Sequence, residues 1–460
     1  MPRNVTSPDG GSLTTLTIPA QGVKFRPVSL TRTSLVERFS SYGSPRDTWR
    51  VGGEFERIGV RPDGAAVPYG GENGIRRVLE LLAERYDWAP VHEGEALIAL
   101  SRRGASITLE PGGQVELSGA PHVRLAEVAA EAQENLTEIT AVGDELGICW
   151  VAVGVHPVAS VDEVEWVPKS RYVVMREHLG AVGALAHTMM KATSSFQANF
   201  DYADEEDCAR KVETMLALAP LTTAMFANSP LVGGRDSGFA SYRGHVWTRT
   251  DPARCGVPLE RYSHGAWVDY LLDTPLLFLT EQNGRYVPGA GRTFRDLLRD
   301  GHQGRRPTWE DWEIHQTSVF PEVRVKRTVE IRGADAVELP LAVAGIAAWT
   351  GVLYSANALA DAGDLAAELK RYGEADERFA AAIRRGLAAD VGGRSLAAWA
   401  RDFVAIAARG LGDLPVAEDA ALLDPLADLV QRGESPAVAT RALFESASSV
   451  EALVEGLRYR

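Results

Sequence analysis

Glu54 and Glu56 stand two residues apart in the segment GGEFE, and two residues apart on an extended chain means one shared face. The alternation recurs in Gln114, Glu116 and Ser118, in Ser195, Gln197, Asn199 and Asp201, and in Glu322, Arg324, Lys326, Thr328, Glu330 and Arg332. The intervening positions are apolar: Phe55, then Val115 and Leu117, then Phe196, Ala198, Phe200 and Tyr202, then Val323, Val325, Val329 and Ile331, with Arg327 the exception. The spacing predicts strands over Val51–Ile58, Gln114–Ser118, Ser195–Tyr202 and Glu322–Arg332, each with one apolar and one charged face. A sheet half exposed to water also alternates in this way. Solvent faces, however, are usually rich in Lys and Thr, and apart from the last strand these carry Glu, Gln, Asn and Asp instead. Turned inward together, such faces make a funnel lined by carboxylates. Gathered carboxylates repel one another unless divalent cations lie between them, and hard oxygen donors suit Mg²⁺ or Mn²⁺.

The elements that position these faces are legible around them. Ile75, Val78, Leu79, Leu82 and Tyr86 recur at helical spacing and predict an amphipathic helix over 72–86. Leu125, Val128, Ala132, Leu136 and Ile139 predict another over 123–146. From about 340 the chain is Ala-rich and reads almost wholly as helix, with Ser395 as an N-cap and Gly410 as a stop. The apolar run Leu341–Tyr354 falls short of the roughly 20 residues a membrane span needs and reads as a buried helix. The expected division is a flexible N-terminal arm over 1–35, a catalytic α+β funnel over 36–335, and a helical part over 336–460 packed on it. A net charge of −14 argues against nucleic acid or an anionic membrane as partner. The three cysteines, Cys149, Cys208 and Cys255, are widely spaced, which disfavours a disulfide framework or zinc site and suggests a reducing cytoplasm. There is no Walker A sequence and no GxGxxG, so neither a P-loop nor a Rossmann site is expected.

Five segments together resemble the plant and proteobacterial type of glutamate–cysteine ligase: GGEFE (52–56), ITLEPGGQVELSGAP (107–121), FQANFDY (196–202), FANSPLVGGRDSGFASYRGHVWTRTD (226–251) and FPEVRVKRTVEIRGAD (320–335). They come in that family's order, and the resemblance runs from about 36 to about 410. It implies a glutamine-synthetase-like fold, a curved antiparallel sheet forming a funnel with helices outside. It also implies a two-step reaction: glutamate takes the γ-phosphoryl group of ATP, and an amine displaces phosphate from the acyl phosphate. Phosphoryl transfer asks for charge neutralisation and in-line positioning more than covalent help. By this resemblance Glu54, Glu56, Glu110, Glu116 and Glu330 match metal-binding carboxylates, and Gln197 stands where related ligases place a neutral ligand. Arg332 would sit over the transferring phosphoryl group, catalytic together with Glu330, with Lys326 and Arg324 reaching phosphate. Arg171 and Arg243 match carboxylate-binding arginines, whose planar fork suits glutamate. Trp247 and Tyr270 are expected in the substrate pocket, although core packing accounts for both equally well.

Two departures bear on the substrates. Leu277 in TPLLF (274–278) replaces the family's usual aromatic residue, and the loop Asp251–Arg261 is shorter than in many members. The expected function is an ATP- and Mg²⁺- (or Mn²⁺-) dependent ligation of glutamate to cysteine by a cytoplasmic monomer or homodimer. A ligase of the same mechanism with another amine acceptor is the alternative. A non-catalytic ATP or glutamate sensor is a third reading, and retention of every metal carboxylate together with Arg332 weighs against it. His187 and His245 are assigned no role, and Cys149 and Cys208 do not match the plant enzymes' regulatory cysteines.

Overall fold

The computed structural model describes residues 30–460, apart from 282, 283, 416, 417 and 419. Residues 1–29 of the expected arm lie outside these. Its last residues are already helical, because α1 (Arg32–Ser40) starts at a capping box between Thr31 and Ser34. Nine strands build the central sheet: β1 (Val51–Val60), β2 (Ala89–Glu93), β3 (Ala96–Arg102), β4 (Ala105–Leu109), β5 (Val115–Ser118), β6 (Cys149–Val151), β7 (Ser195–Phe200), β8 (Val323–Val325) and β9 (Val329–Asp335). Their order is β8-β9-β7-β1-β5-β4-β3-β2, antiparallel throughout, and β6 takes over beside β1 where β5 leaves off. The sheet is open, with β8 and β2 at its edges. The fold is the expected α+β class.

Register decides which side chains meet. Glu56 lies opposite Glu116, and Glu54 lies between Ser118 on one side and Gln197 on the other. Glu330 is opposite both Asn199 and Arg324. Residues directly opposite in an antiparallel pair share a face, so the charged positions of five strands form one continuous surface. The segment 322–332 is not the single strand that its alternation predicts. It folds back on itself as the hairpin β8–β9, closed by a hydrogen bond of 3.0 Å from Lys326 N to Thr328 O. Arg324 and Glu330 still share a face, now as cross-strand partners.

The apolar face carries Phe55, Leu117, Phe196, Ala198 and Phe200, all buried. Over it pack α3 (Leu125–Leu146) and α6 (Leu339–Tyr354), the latter being the predicted buried helix. Gly345 lets α6 settle onto the sheet, for a Cβ there would stand 2.7 Å from the rings of Phe196 and Phe226. The amphipathic helix expected over 72–86 is α2 (Ile75–Arg85), and Gly147, at φ 65°, ends α3. Between α3 and α6 in the chain come α4 (Ser170–Val182) and α5 (Ala186–Ala192). Ser395 caps α7 (Leu396–Gly412) as predicted, its hydroxyl accepting from Ala398 N. Gly410 does not stop that helix. It is the point where α7 crosses α6, and a Cβ on it would lie 2.1 Å from the Gly351 carbonyl oxygen. Among the described residues no single helix is long and apolar enough to cross a membrane.

This crossing generates a test of the packing. Gly410→Ala forces backbone apart or bends a helix, and overpacking of this kind costs about 1–3 kcal/mol. Urea unfolding followed by circular dichroism should show a midpoint lowered accordingly, and an unchanged midpoint would mean that the two backbones do not approach so closely.

Candidate active site

On its charged face the sheet curls around a cavity of about 390 Å³, touched by residues from β2 and β3 at one end and from β8 and the following turn at the other. Glu54, Glu56, Glu110, Glu116, Gln197, Arg171, Arg243, Trp247, Arg324, Lys326 and Arg332 all line it. These are eleven of the thirteen residues singled out from sequence; Glu330 and Tyr270 are the two that do not line it.

The acidic half lies on β1, β4 and β5. Glu116 accepts from Thr108 Oγ1 (3.0 Å) and Ser118 Oγ (3.1 Å). Glu56 accepts from Ser195 Oγ (2.8 Å) and Gln197 Nε2 (3.2 Å), and Glu54 from Asn199 Nδ2 (2.8 Å). The carboxyls open onto the cavity yet are surrounded by protein. Burial, then Glu330 and Glu116, pushes Glu54 up to about 7. Burial, then Glu110 and Glu116, pushes Glu56 up to about 8. Glu116 is raised by burial and Glu110. Among the described residues no three of these side chains converge on one point closely enough to chelate an ion. The donor set nevertheless fits a hard divalent cation: all-oxygen, multiply anionic, and with a mutual repulsion that a cation would relieve.

The basic half lies on β8, β9 and the turn between them. Glu330 sits beneath it with 0% exposure. Arg324 donates twice to it, from Nε (2.9 Å) and Nη2 (2.8 Å), Lys326 Nζ lies 3.1 Å away, and Arg332 Nη1 contacts the same carboxylate. Burial alone would raise this carboxyl, but Arg324, Lys326 and Arg332 hold it well below the usual range. Both oxygens of Glu330, one of the carboxylates expected among the metal ligands, are occupied by these three cations. Gln197 joins the two halves, with Nε2 donating to Glu56 and Oε1 accepting from Arg332.

A third wall comes from outside the sheet. Arg171, on α4, stacks over Tyr172 at 5.3 Å, and its Nε is buried with no hydrogen-bond partner among the described residues. Arg243 donates from Nη2 to Arg332 O (3.0 Å), lies 5.7 Å from the Trp247 ring, and likewise has an unpartnered buried Nε. Two buried guanidinium N–H groups without acceptors, each on a side chain lining the cavity, suit an oxyanion ligand. Tyr270, expected here, is on helix His264–Asp273 and packs on Trp267 at 5.2 Å, outside the cavity; the helical period alone could not tell its inner face from its outer one. Leu277 is buried behind the wall beside Leu179 and Met189, while Phe278 next to it reaches the cavity. Sequence reasoning missed Lys169, which also lines the cavity. Its Nζ donates to Leu109 O (2.7 Å), and burial, reinforced by Arg171, pushes it down to about 8. Nothing in the sequence around it marks that burial.

Similar proteins of known name exist. Glutamate–cysteine ligase A of Oryza sativa subsp. indica, named chloroplastic, is 39% identical over 347 residues, 74% of this chain and 70% of its own. The chloroplastic enzyme of Nicotiana tabacum is 36% identical over 446 residues, 94% of this chain and 83% of its own. The crystal structure of the Francisella tularensis glutamate–cysteine ligase in complex with AMP shares the fold, with a TM-score of 0.51 at 12% identity over 89% of this chain and 87% of that one. The cytoplasmic expectation is overturned by these names. The plant relatives are called chloroplastic, and three unpaired cysteines cannot tell one reducing compartment from another. The family match also extends past the expected limit near 410, into the C-terminal helices. Matching its model over residues 50–456, the chain belongs to glutamate–cysteine ligase family 2 and is a ligase.

Proposed function

We propose that this enzyme joins the side-chain carboxylate of glutamate to the amine of cysteine. ATP is spent as ADP and phosphate, and γ-glutamyl phosphate is the intermediate. The observation that carries this reading is one cavity holding an uncompensated acidic cluster, an uncompensated basic cluster and two arginines with free N–H groups. Mg²⁺ or Mn²⁺, when bound, supplies charge neutralisation for the phosphates; Glu54, Glu56, Glu110, Glu116 and the Gln197 amide are the residues to hold it. Arg332, Arg324 and Lys326 meet the phosphates, with Arg332 over the group in transfer. Glu330 holds these three in place. Arg171 and Arg243 take the carboxylates of glutamate and aim its γ-carboxylate at the γ-phosphorus, because two forks fix an orientation where two ammonium groups would not. Residues 36–335 are the catalytic funnel in this reading, and 336–460 support it from behind.

A different amine acceptor is the second reading, and the cavity's remaining wall favours keeping it. Met175, Met189, Met190, Phe278 and Phe320 are apolar, and among the described residues no His or Cys lines the cavity to single out a thiol. Weighing the products formed with each amino acid in turn decides between the two. In either case hydroxylamine should trap a γ-glutamyl hydroxamate and ADP should accumulate, whereas AMP with pyrophosphate would point to adenylation and defeat the mechanism.

Two substitutions separate the clusters. Arginine stabilisation of a transferring phosphoryl group is worth about 10³–10⁵ in kcat elsewhere, so Arg332→Ala should lose at least about 10²-fold while retaining glutamate binding. A loss of only a few-fold would remove Arg332 from the phosphate. Glu54→Gln keeps shape and deletes charge. Mn²⁺ binding followed by electron paramagnetic resonance should weaken by about tenfold or more in the absence of ATP, the scale of one lost charge-assisted contact. Equal binding in parent and variant would strike Glu54 from the ligand set.

A further inference from the structure

Helices α4 and α5 form a wall with two sides. Arg171 and Met175 of α4 and Met190 of α5 line the active-site cavity, whereas Arg176 of α4 and His187 and Lys191 of α5 line a second, open pocket of about 510 Å³. Trp166 is its floor. The Arg176 guanidinium lies 5.2 Å from the indole centroid, the Lys191 ammonium 5.0 Å, and His187 meets the ring edge-on at 5.4 Å. Lys191 is only 6% exposed, and among the described residues neither it nor Arg176 forms an ion pair with a carboxylate. The Lys191 ammonium also donates no hydrogen bond among them.

The stem of Lys191 is packed away while its ammonium faces the pocket, and a neighbouring cation without an acceptor between them makes that position unfavourable. The indole face offsets part of that cost by attracting both cations. Burial lowers the Lys191 pKa, Asp162 opposes the shift and Arg176 adds to it. What is missing between the two cations is an acceptor. We propose that this pocket is a second anion-binding site, taking one carboxylate or phosphate group between Lys191 and Arg176 above Trp166. Asp162 and Glu165, exposed at its mouth, repel extended polyanions, so a single oxyanion is the class of ligand that fits.

The full chain carrying 5-fluorotryptophan provides the test by fluorine NMR, the Trp166 signal being assigned by its loss in Trp166→Phe. Inorganic phosphate and acetate are titrated separately. The Trp166 signal should shift saturably with at least one of them, and which one tells a phosphate ligand from a carboxylate. Lys191→Met keeps the alkyl stem, and Arg176→Gln alters an exposed residue that folding does not need. Each should weaken binding by about tenfold or more, the loss of one charge-assisted hydrogen bond. Arg171→Gln, on the other side of the wall, should leave the titration unchanged. No saturable shift with either anion, a shift undiminished in Lys191→Met or Arg176→Gln, or one abolished by Arg171→Gln would overturn the proposal.

Discussion

Glu330 has no contact with solvent and stays ionised because Arg324 grips it with two hydrogen bonds while Lys326 and Arg332 close on the same carboxylate. Desolvating such ions costs several kcal/mol each, so the four groups are stable only as a set, and removing one partner strands the others. The set is also unbalanced. Three positive charges face one negative, leaving an excess of two positive charges at the cavity wall. Beside it Glu54, Glu56, Glu110 and Glu116 form the opposite excess, and burial together with that repulsion raises the carboxyl pKa values of Glu54, Glu56 and Glu116. A polyphosphate carrying divalent metal has the complementary pattern. Gln197 explains why the two excesses do not simply collapse into each other. A neutral amide can donate to Glu56 and accept from Arg332 at once, holding the clusters apart while satisfying both.

Period-two alternation made most of this legible, because a strand's face is fixed by residue parity. The last segment shows both the strength and the limit of that reasoning. Lys326, Arg327 and Thr328 contain no Gly, Pro, Asn or Asp, so nothing in the sequence announces a turn. The hairpin pairs residue 324 with 330 and 323 with 331. Residues of equal parity therefore still meet on one face, and the faces came out right although the strand did not. The ion pairs of Glu330 were not legible for a related reason. Its type and spacing match those of the other carboxylates, and only the folded hairpin brings Arg324 onto it.

Helical residues were harder to place. Parity assigns a side chain to one of two faces, whereas a helix offers a continuum, and α4 lacks a clear amphipathic pattern. Lys169 looks like any polar residue ahead of a helix, and its acceptor, Leu109 O, lies some sixty residues earlier in the chain. Gly410 and Ser395 make an instructive pair in α7. Capping is a local interaction and was readable, but the close approach to Gly351 comes from a segment some sixty residues away and was not.

The two kinds of element also differ in how firmly they hold their residues. The charged face is fixed by a ladder of backbone hydrogen bonds running through five strands. The wall bearing Arg171 has no such ladder. At the N-terminus of α4, Lys169 supplies no side-chain cap. The cap comes instead from Glu93 on edge strand β2, which accepts from Ser170 N (3.2 Å) and from the Ser170 hydroxyl. One carboxylate at a helix N-terminus contributes about 0.5–2 kcal/mol, far less than a sheet ladder. Arg171 is the next residue, so the arm proposed to orient glutamate is held to the sheet by side-chain ties alone: Ser170 to Glu93 of β2, and Lys169 Nζ and Tyr172 OH to Leu109 O of β4. The charged face is thereby held by the sheet ladder itself, whereas the position of Arg171 rests on a few side-chain hydrogen bonds between the start of α4 and strands β2 and β4.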